Sequence, residues 1–253
     1  MLALQIVWAF VKLLAGVAIL AVGLRQLRGD PVHRLTWQLT GYTFILGGAS
    51  AVVQLGVFAP WAYFAGEGTA VYEGFLRWNP AVTQSRTFLM IGLGLVLCVL
   101  PVVRRYPRNP VPVAVGFLAA MMLAGGALGW LEGGFAVVRF FSSTAVTNML
   151  ELVMLLSALL VALIAETMDR YLWLAMLVYA IAIGLNVIMF SALAWLGVDG
   201  AWSPPQSFVQ VCLVLAHATM VFLAARRLQL DRRGVEVGSL LEPARHKAVT
   251  VLQ

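Results

Sequence analysis

Two charged residues interrupt long apolar stretches of the sequence, Lys12 within residues 3–24 and Glu151 within residues 146–165. A charged side chain inside a membrane-spanning helix costs about 2.5–3.5 kcal/mol on insertion scales, so such residues usually pair with each other or bind a ligand. Counted from the same predicted side of the bundle, Lys12 lies about eight residues deep and Glu151 about six, which at ~1.5 Å per residue gives similar depths. The sequence therefore predicts that the two groups meet, as an ion pair or as a ligand clamp.

Four uncharged polar residues lie in other apolar stretches: Asn186 and His217 near the middle of theirs, Gln54 and Gln210 nearer the predicted outer side. Together with the two charges they predict a polar cavity in the outer half of a helical bundle. Amides of this kind also serve as hydrogen bonds between helices, at about 0.6 kcal/mol each, and Lys12 has a stem long enough to reach outward. His217 is a candidate proton acceptor or a hydrogen-bonded interior residue.

The composition identifies the environment of these residues. Of 253 residues, 62% are hydrophobic and 11% are charged, against about 25% charged residues in an ordinary soluble domain, and the mean hydropathy is +0.92. A soluble fold of this size cannot bury so much apolar surface, which excludes a water-soluble enzyme, a disordered chain and a secreted disulfide scaffold. The expected partner is the lipid bilayer. The net charge of +6 does not indicate nucleic-acid binding, because the basic residues flank apolar runs.

A membrane-spanning helix needs about 20 mostly apolar residues. That criterion predicts an all-α membrane protein, a bundle of seven transmembrane helices. The predicted spans are residues 3–24, 35–58, 87–103, 111–131, 146–165, 171–196 and 207–225.

The basic residues predict the orientation of the seven spans. Thirteen of the 17 Lys and Arg residues lie in one set of connections and in the C-terminal tail, whereas Arg77, Arg86 and Arg139 lie in the opposite set. Since cytoplasmic connections are enriched in Lys and Arg, we expect the N-terminus outside and a basic cytoplasmic tail at residues 226–253. This topology suits a multi-pass protein of the plasma membrane, and we expect a bacterial inner membrane.

An internal repeat is visible at two places. Residues 50–61 and 191–202 share S-A-x3-L-G-V-x3-W, with six of twelve positions identical, and a Gln-Ser pair precedes an Arg pair by 20 residues in both the third and the seventh span. We predict a 3+1+3 parallel repeat, although short apolar segments also match by chance. Its parts are a first three-helix repeat at residues 1–103, with an aromatic outer loop at 59–86, a linker helix at 104–131, a second three-helix repeat at 132–225 and the tail.

Two triplets of spans joined by a linker span is an arrangement that resembles the SWEET and PQ-loop transporters, and the count of seven resembles the microbial rhodopsins. The motifs of those families are absent from this sequence. Its one Pro-Gln pair, Pro205-Gln206, opens the seventh span instead of lying in the first or fifth, and the seventh span has no lysine to hold retinal. The sequence therefore assigns no family.

The aromatic outer loop 59–86 has two interpretations. Its tryptophans, tyrosines and phenylalanines favour the lipid headgroup level, with residues 69–78 as a short amphipathic helix. Alternatively the loop covers the outer mouth of the bundle, or binds a membrane or periplasmic protein partner. The run of small residues at Gly125-Gly126-Ala127-Leu128-Gly129 predicts close packing of the fourth span against a neighbour.

These patterns favour an integral membrane transporter or carrier of a small polar solute, with its site between the two triplets. The alternative is a non-catalytic subunit of a membrane complex, or a seven-helix receptor-like sensor acting through its outer loops and tail. We expect no catalytic residues, metal or cofactor, because no nucleophile–base arrangement or metal-ligand spacing is present; an intramembrane enzyme acting on lipid is the third hypothesis. The candidate ligand-binding residues are Lys12, Glu151, Asn186, His217, Gln54 and Gln210.

Overall fold

A computed structural model describes residues 2–25, 30–103, 111–131, 144–195 and 204–251. Regular structure in this part of the chain is entirely helical. The helices are α1 (Leu2–Arg25), α2 (Pro31–Val52), α3 (Ala59–Ala65), α4 (Ala70–Val103), α5 (Val111–Trp130), α6 (Thr144–Ala165), α7 (Arg170–Trp195) and α8 (Pro204–Val251), and a π-helical segment, Val53–Phe58, joins α2 to α3.

Seven helical stretches of the described chain are long and apolar enough to cross a membrane. They follow one another in the order of the seven predicted spans, so the all-α fold with seven such helices is confirmed. Three parts of the chain that these predictions use lie outside the described residues: the basic residues at 104–108, Arg139, and residues 196–202 of the second copy of the repeated motif. The topology, the 3+1+3 repeat and its domain limits therefore stay predictions.

The predicted outer loop 59–86 is largely helical in the structure. α3 covers Ala59–Ala65, and α4 begins at Ala70, well before the predicted start of the third span at residue 87. The apolar run that predicts the third span begins at residue 87, because Gln84, Ser85 and Arg86 precede it. Polar side chains do not end a helix, however, so the helix continues beyond the apolar run.

Of the seven long helices in the described residues, six form a closed ring and one lies outside it. In the ring α1 packs against α2, α2 against α4, α4 against α6, α6 against α7, α7 against α8, and α8 against α1. α5 packs on the outside of α4 and touches α2. Accordingly, 11% of the most apolar window of α5 is buried, against 56% for α4. α4 is thus the most enclosed helix of the bundle and α5 the most peripheral.

Glycines let α1 and α2 touch backbone to backbone. A Cβ atom built on Gly41 would lie 2.6 Å from the backbone nitrogen of Leu20, and one on Gly16 would lie 2.5 Å from the backbone nitrogen of Ile45. Helices in lipid gain nothing from burying apolar surface against each other, so they associate through close packing, which small residues allow. The same principle holds for α5, where a Cβ on Gly129 would lie 2.6 Å from the Cα of Ala81; the predicted close packing of this span is confirmed.

Polar contacts tie the helices at the end where α1 finishes. Arg227 of α8 forms an ion pair with Asp169, which precedes α7, at 3.1 Å, and a second with Asp231 on its own helix. His33 Nε2 of α2 lies 2.9 Å from the carbonyl oxygen of Glu166 and donates to it. These contacts hold the α6–α7 turn between α2 and α8, so this end of the ring is closed by side-chain and backbone hydrogen bonds.

We expect Gly41→Val to destabilise the fold, because the atom its Cβ would meet belongs to the backbone of α1 and cannot rotate away. Overpacking of this kind costs about 1–3 kcal/mol, which a thermal melt of the detergent-solubilised protein would detect as a lower midpoint. Gly116→Val is the matched control, since a Cβ at Gly116 on α5 meets nothing within 4 Å. Equal midpoints for the two variants would contradict the proposed contact.

Candidate functional site

A polar cavity of about 640 Å³ lies inside the ring, toward the end where α1, α6 and α8 begin. It is lined from α1, the π-helical segment, α3, α4, α6, α7 and α8. The charged residues on its wall, within the described chain, are Lys12, Arg86 and Glu151. The cavity therefore gathers the two charges singled out in the sequence and adds a third.

Lys12 is buried, with 3% of its surface exposed. Its Nζ lies 5.2 Å from the ring centroid of Trp8 and 5.8 Å from that of Phe44, distances at which a ring face attracts a cation. The absence of a side chain at Gly47 leaves room for the stem, since a Cβ there would lie 3.4 Å from Nζ. The ammonium thus points into the bundle and is held by ring faces.

Glu151 is equally buried, at 3% exposure. Its Oε1 accepts a hydrogen bond of 2.7 Å from the hydroxyl of Tyr179, which joins α6 to α7. Among the described residues no direct ion pair connects Glu151 with Lys12, although both line the polar cavity. Asn148, one helical turn before Glu151, is also buried on the cavity wall. The two charges therefore share a space without neutralising each other by contact.

Arg86 occupies a different place from the predicted one. The sequence predicts an outer-loop charge, but the structure places Arg86 inside α4, 9% exposed, with its Cζ 5.9 Å from the ring centroid of Trp8. One terminal nitrogen donates a 3.4 Å hydrogen bond to the hydroxyl of Thr83. The other, Nη1, is buried and has no hydrogen-bond partner among the described residues. A buried guanidinium nitrogen without a partner is rare and costly.

A helical pattern in the sequence could have identified Arg86. Thr83, Arg86, Thr87 and Met90 are spaced i, i+3, i+4 and i+7, which places them on one helix face, and all four line the polar cavity. The predicted third span starts at residue 87, so it leaves Thr83 and Arg86 outside the helix and hides this spacing.

His217 lies just outside this wall. It is fully buried, its Nδ1 donates a 2.6 Å hydrogen bond to the carbonyl of Leu213, and its Nε2 has no partner among the described residues. Its ring centroid lies 5.3 Å from that of Tyr179 and 5.7 Å from that of Phe44. Leu213, and not His217, lines the polar cavity. The histidine therefore forms part of the aromatic packing that supports Lys12 and Tyr179.

The three predicted amides all line the polar cavity: Gln54, Asn186 and Gln210. Gln54 belongs to the π-helical segment, and its Nε2 donates to the side-chain oxygen of Asn79, the tenth residue of α4. Such segments carry one extra residue per turn and occur often at functional sites. The side-chain oxygens of Gln54 and Gln210 are buried without a partner among the described residues, as is Nε1 of Trp8. Unpaired donors and acceptors thus surround the cavity.

An apolar groove of about 850 Å³ adjoins the polar cavity, between α2, the π-helical segment and the first turns of α4. Large apolar side chains form most of its wall. Gln54, Phe75 and Asn79 line both spaces, so the hydrogen bond between Gln54 and Asn79 lies where the groove meets the cavity.

Within the described part of the chain, no group of three or more His, Cys, Asp or Glu residues is placed to hold a metal ion. Comparison of the chain with protein-family models, with curated proteins and with solved structures finds no match. The geometry of the cavity is therefore the basis for a functional assignment.

We expect Tyr179→Phe to destabilise the protein by about 1–3 kcal/mol, because it removes the hydrogen bond to the buried Glu151 carboxylate. Tyr42→Phe is the control, since Tyr42 is 40% exposed on α2. In a Glu151→Gln background the cost of Tyr179→Phe should shrink, as measured by thermal or denaturant unfolding in detergent. An undiminished cost in that background would show that the hydroxyl acts elsewhere.

Proposed function

We propose that this protein is a multi-pass membrane carrier of a small polar solute, which binds in the polar cavity. The observation that carries the proposal is the collection of Lys12, Arg86 and Glu151 around one buried space, with unpaired polar atoms on Trp8 and Gln54. Buried polar groups are nearly always paired, and charges inside an apolar bundle usually mark a solute pathway. A volume of about 640 Å³ suits a small molecule.

The arrangement of helices supports the carrier proposal. α5, the linker in the predicted 3+1+3 repeat, packs outside a ring made of the other six long helices. Lys12 comes from the first predicted triplet and Glu151 from the second, so the site lies between the two halves. Carriers built from parallel repeats place their site at such an interface, and relative movement of the halves would open it to either side.

The proposed orientation places the polar cavity in the outer half of the membrane, with the basic tail in the cytoplasm. The cavity lies toward the end of the ring where α1 begins, and the positive-inside rule assigns that end to the outside. We propose the plasma membrane, in a bacterium the inner membrane, as the location. In this orientation the cavity receives solute from outside.

A second candidate is a non-catalytic subunit or sensor that binds a protein partner through residues 59–86. It is favoured by large exposed side chains near the mouth of the bundle: Phe64 is 91% exposed and Trp61 is 58% exposed. Native mass spectrometry in mild detergent would test it. A stoichiometric partner that is lost on changing both residues to alanine would favour a subunit, and a lone intact chain would favour the carrier.

For the carrier, we expect Lys12→Met and Arg86→Gln each to lower solute uptake about tenfold or more in reconstituted vesicles. Removing one partner of a buried, charge-assisted hydrogen bond costs about 1.5–3 kcal/mol, and every 1.4 kcal/mol is a factor of ten. Arg77→Gln is the matched control, because Arg77 is exposed on the same helix as Arg86.

Size-exclusion profiles and melting midpoints of each variant would separate loss of uptake from loss of fold. Uptake that falls equally in Arg77→Gln, or that is unaffected by both cavity variants, would overturn the carrier proposal.

A further inference from the structure

We infer that the solute is an organic carboxylate with a short apolar tail, whose carboxylate binds at Arg86 in the polar cavity and whose tail lies in the apolar groove. This inference rests on the proposed function, since it names the class of solute for the same site. It follows from the charges of the cavity, the unpaired guanidinium nitrogen and the shared wall of the two spaces.

The charged wall of the polar cavity carries one surplus positive charge. Among the residues with described positions, Lys12 and Arg86 are two cations against the one carboxylate of Glu151, and Glu151 already accepts a hydrogen bond from Tyr179. A surplus cation buried in an apolar bundle is stabilised best by an anion that enters with the solute. The charge of the site therefore favours an anionic solute over a neutral or cationic one.

Arg86 supplies the geometry for an oxyanion. Its side chain is 91% buried, being 9% exposed, and its Nη1 has no hydrogen-bond partner among the described residues. A guanidinium presents donors in a planar fork that matches the two oxygens of a carboxylate. Thr83, which accepts the 3.4 Å hydrogen bond from Nη2, orients this fork without occupying its free nitrogen.

The apolar groove offers a place for the rest of the molecule. It is lined by Leu46, Val53, Phe58, Trp78 and Val82, among others. Phe75 and the Gln54–Asn79 pair line both spaces. The two spaces therefore lie side by side with these residues as their common wall, and in our inference the apolar tail of a solute bound at Arg86 extends past this pair into the groove.

Each of the two spaces, taken separately, has the size of a small-molecule site. About 640 Å³ for the cavity and about 850 Å³ for the groove both fall in the range of roughly 300–1,000 Å³ typical of small-molecule sites. We therefore commit to a free monocarboxylate, and treat a phospholipid headgroup, which carries a similar oxyanion, as a competing outcome.

The test is equilibrium binding of radiolabelled hexanoate to the full chain in lipid nanodiscs, with unlabelled acetate, hexanol and hexylammonium as competitors. Each buried methylene contributes about a fourfold gain in affinity. Hexanoate, with four more methylenes than acetate, should therefore bind about 250-fold more tightly if all four are buried and at least about 16-fold more tightly if two are. Hexanol and hexylammonium should compete at least about tenfold more weakly than hexanoate, because they lack the oxyanion.

Two pairs of variants separate the carboxylate site from the tail site. Arg86→Gln should weaken hexanoate and acetate alike, by about tenfold or more, whereas Arg77→Gln should change neither. Gly74→Leu should weaken hexanoate toward the affinity of acetate and leave acetate unchanged. Gly74 lines the groove and a Cβ there meets nothing within 4 Å, so a side chain can be added at this position to narrow the groove. Gly116→Leu, equally open but on α5, should affect neither probe.

Several results would overturn the inference. If hexylammonium or hexanol competed as well as hexanoate, the carboxylate site would be contradicted. If the Gly74→Leu variant bound hexanoate with wild-type affinity, the tail site would be contradicted. A tightly bound phospholipid that hexanoate cannot displace would assign the oxyanion site to lipid and overturn the choice of a free monocarboxylate.

The inference and the carrier proposal fail in different ways. Uptake of a non-anionic solute that depends on Lys12, without hexanoate binding, would overturn the inference and keep the carrier. Hexanoate binding with the predicted variant pattern, but without uptake into vesicles, would keep the inference and overturn the carrier.

Discussion

The cost of placing charge inside an apolar bundle governs the rest of this structure. In the part of the chain that the structure describes, three charged side chains are buried within one ring of helices, and each is stabilised by different contacts. Lys12 lies over the rings of Trp8 and Phe44, and Glu151 accepts a hydrogen bond from Tyr179. Arg86 has one weak hydrogen bond and one unpaired nitrogen. Protein contacts thus satisfy the first two charges more fully than the third, which concentrates the unmet hydrogen-bonding capacity of the site at Arg86.

Helix packing and charge burial depend on the same small residues. The backbones of α1 and α2 touch because Gly16 and Gly41 carry no side chain, and the close approach brings Phe44 over the ammonium of Lys12. Gly47 leaves the space that the lysine stem occupies. A larger residue at any of these positions would separate the helices or displace the cation. The packing of α1 against α2 and the position of Lys12 therefore depend on the same residues.

The site residues that the sequence could predict are charged residues with apolar neighbours in the sequence. Lys12 and Glu151 stand out because apolar residues flank them on both sides. Arg86 does not, since it lies at the polar edge of an apolar run, and no window of hydropathy shows that α4 extends back to Ala70. The pairing of Tyr179 with Glu151 depends on how two helices rotate against each other, and the sequence contains no periodic signal for that rotation. For the same reason His217 could be assigned to the interior but not to a position behind the cavity wall.

The π-helical segment is the element that relates the polar cavity to the apolar groove. Inserting one residue into a helix turns every later side chain by about 100°, because an α-helix has about 3.6 residues per turn. In the segment Val53–Phe58 this insertion accompanies the inward orientation of Gln54, which is 5% exposed and donates to Asn79. In a regular α-helix Gln54 and the residues of α3 could not all keep these orientations. A backbone irregularity therefore determines the junction between the two spaces. Composition and hydropathy carry no signal for this irregularity, which occurs where the buried amide of Gln54 needs a hydrogen-bond partner.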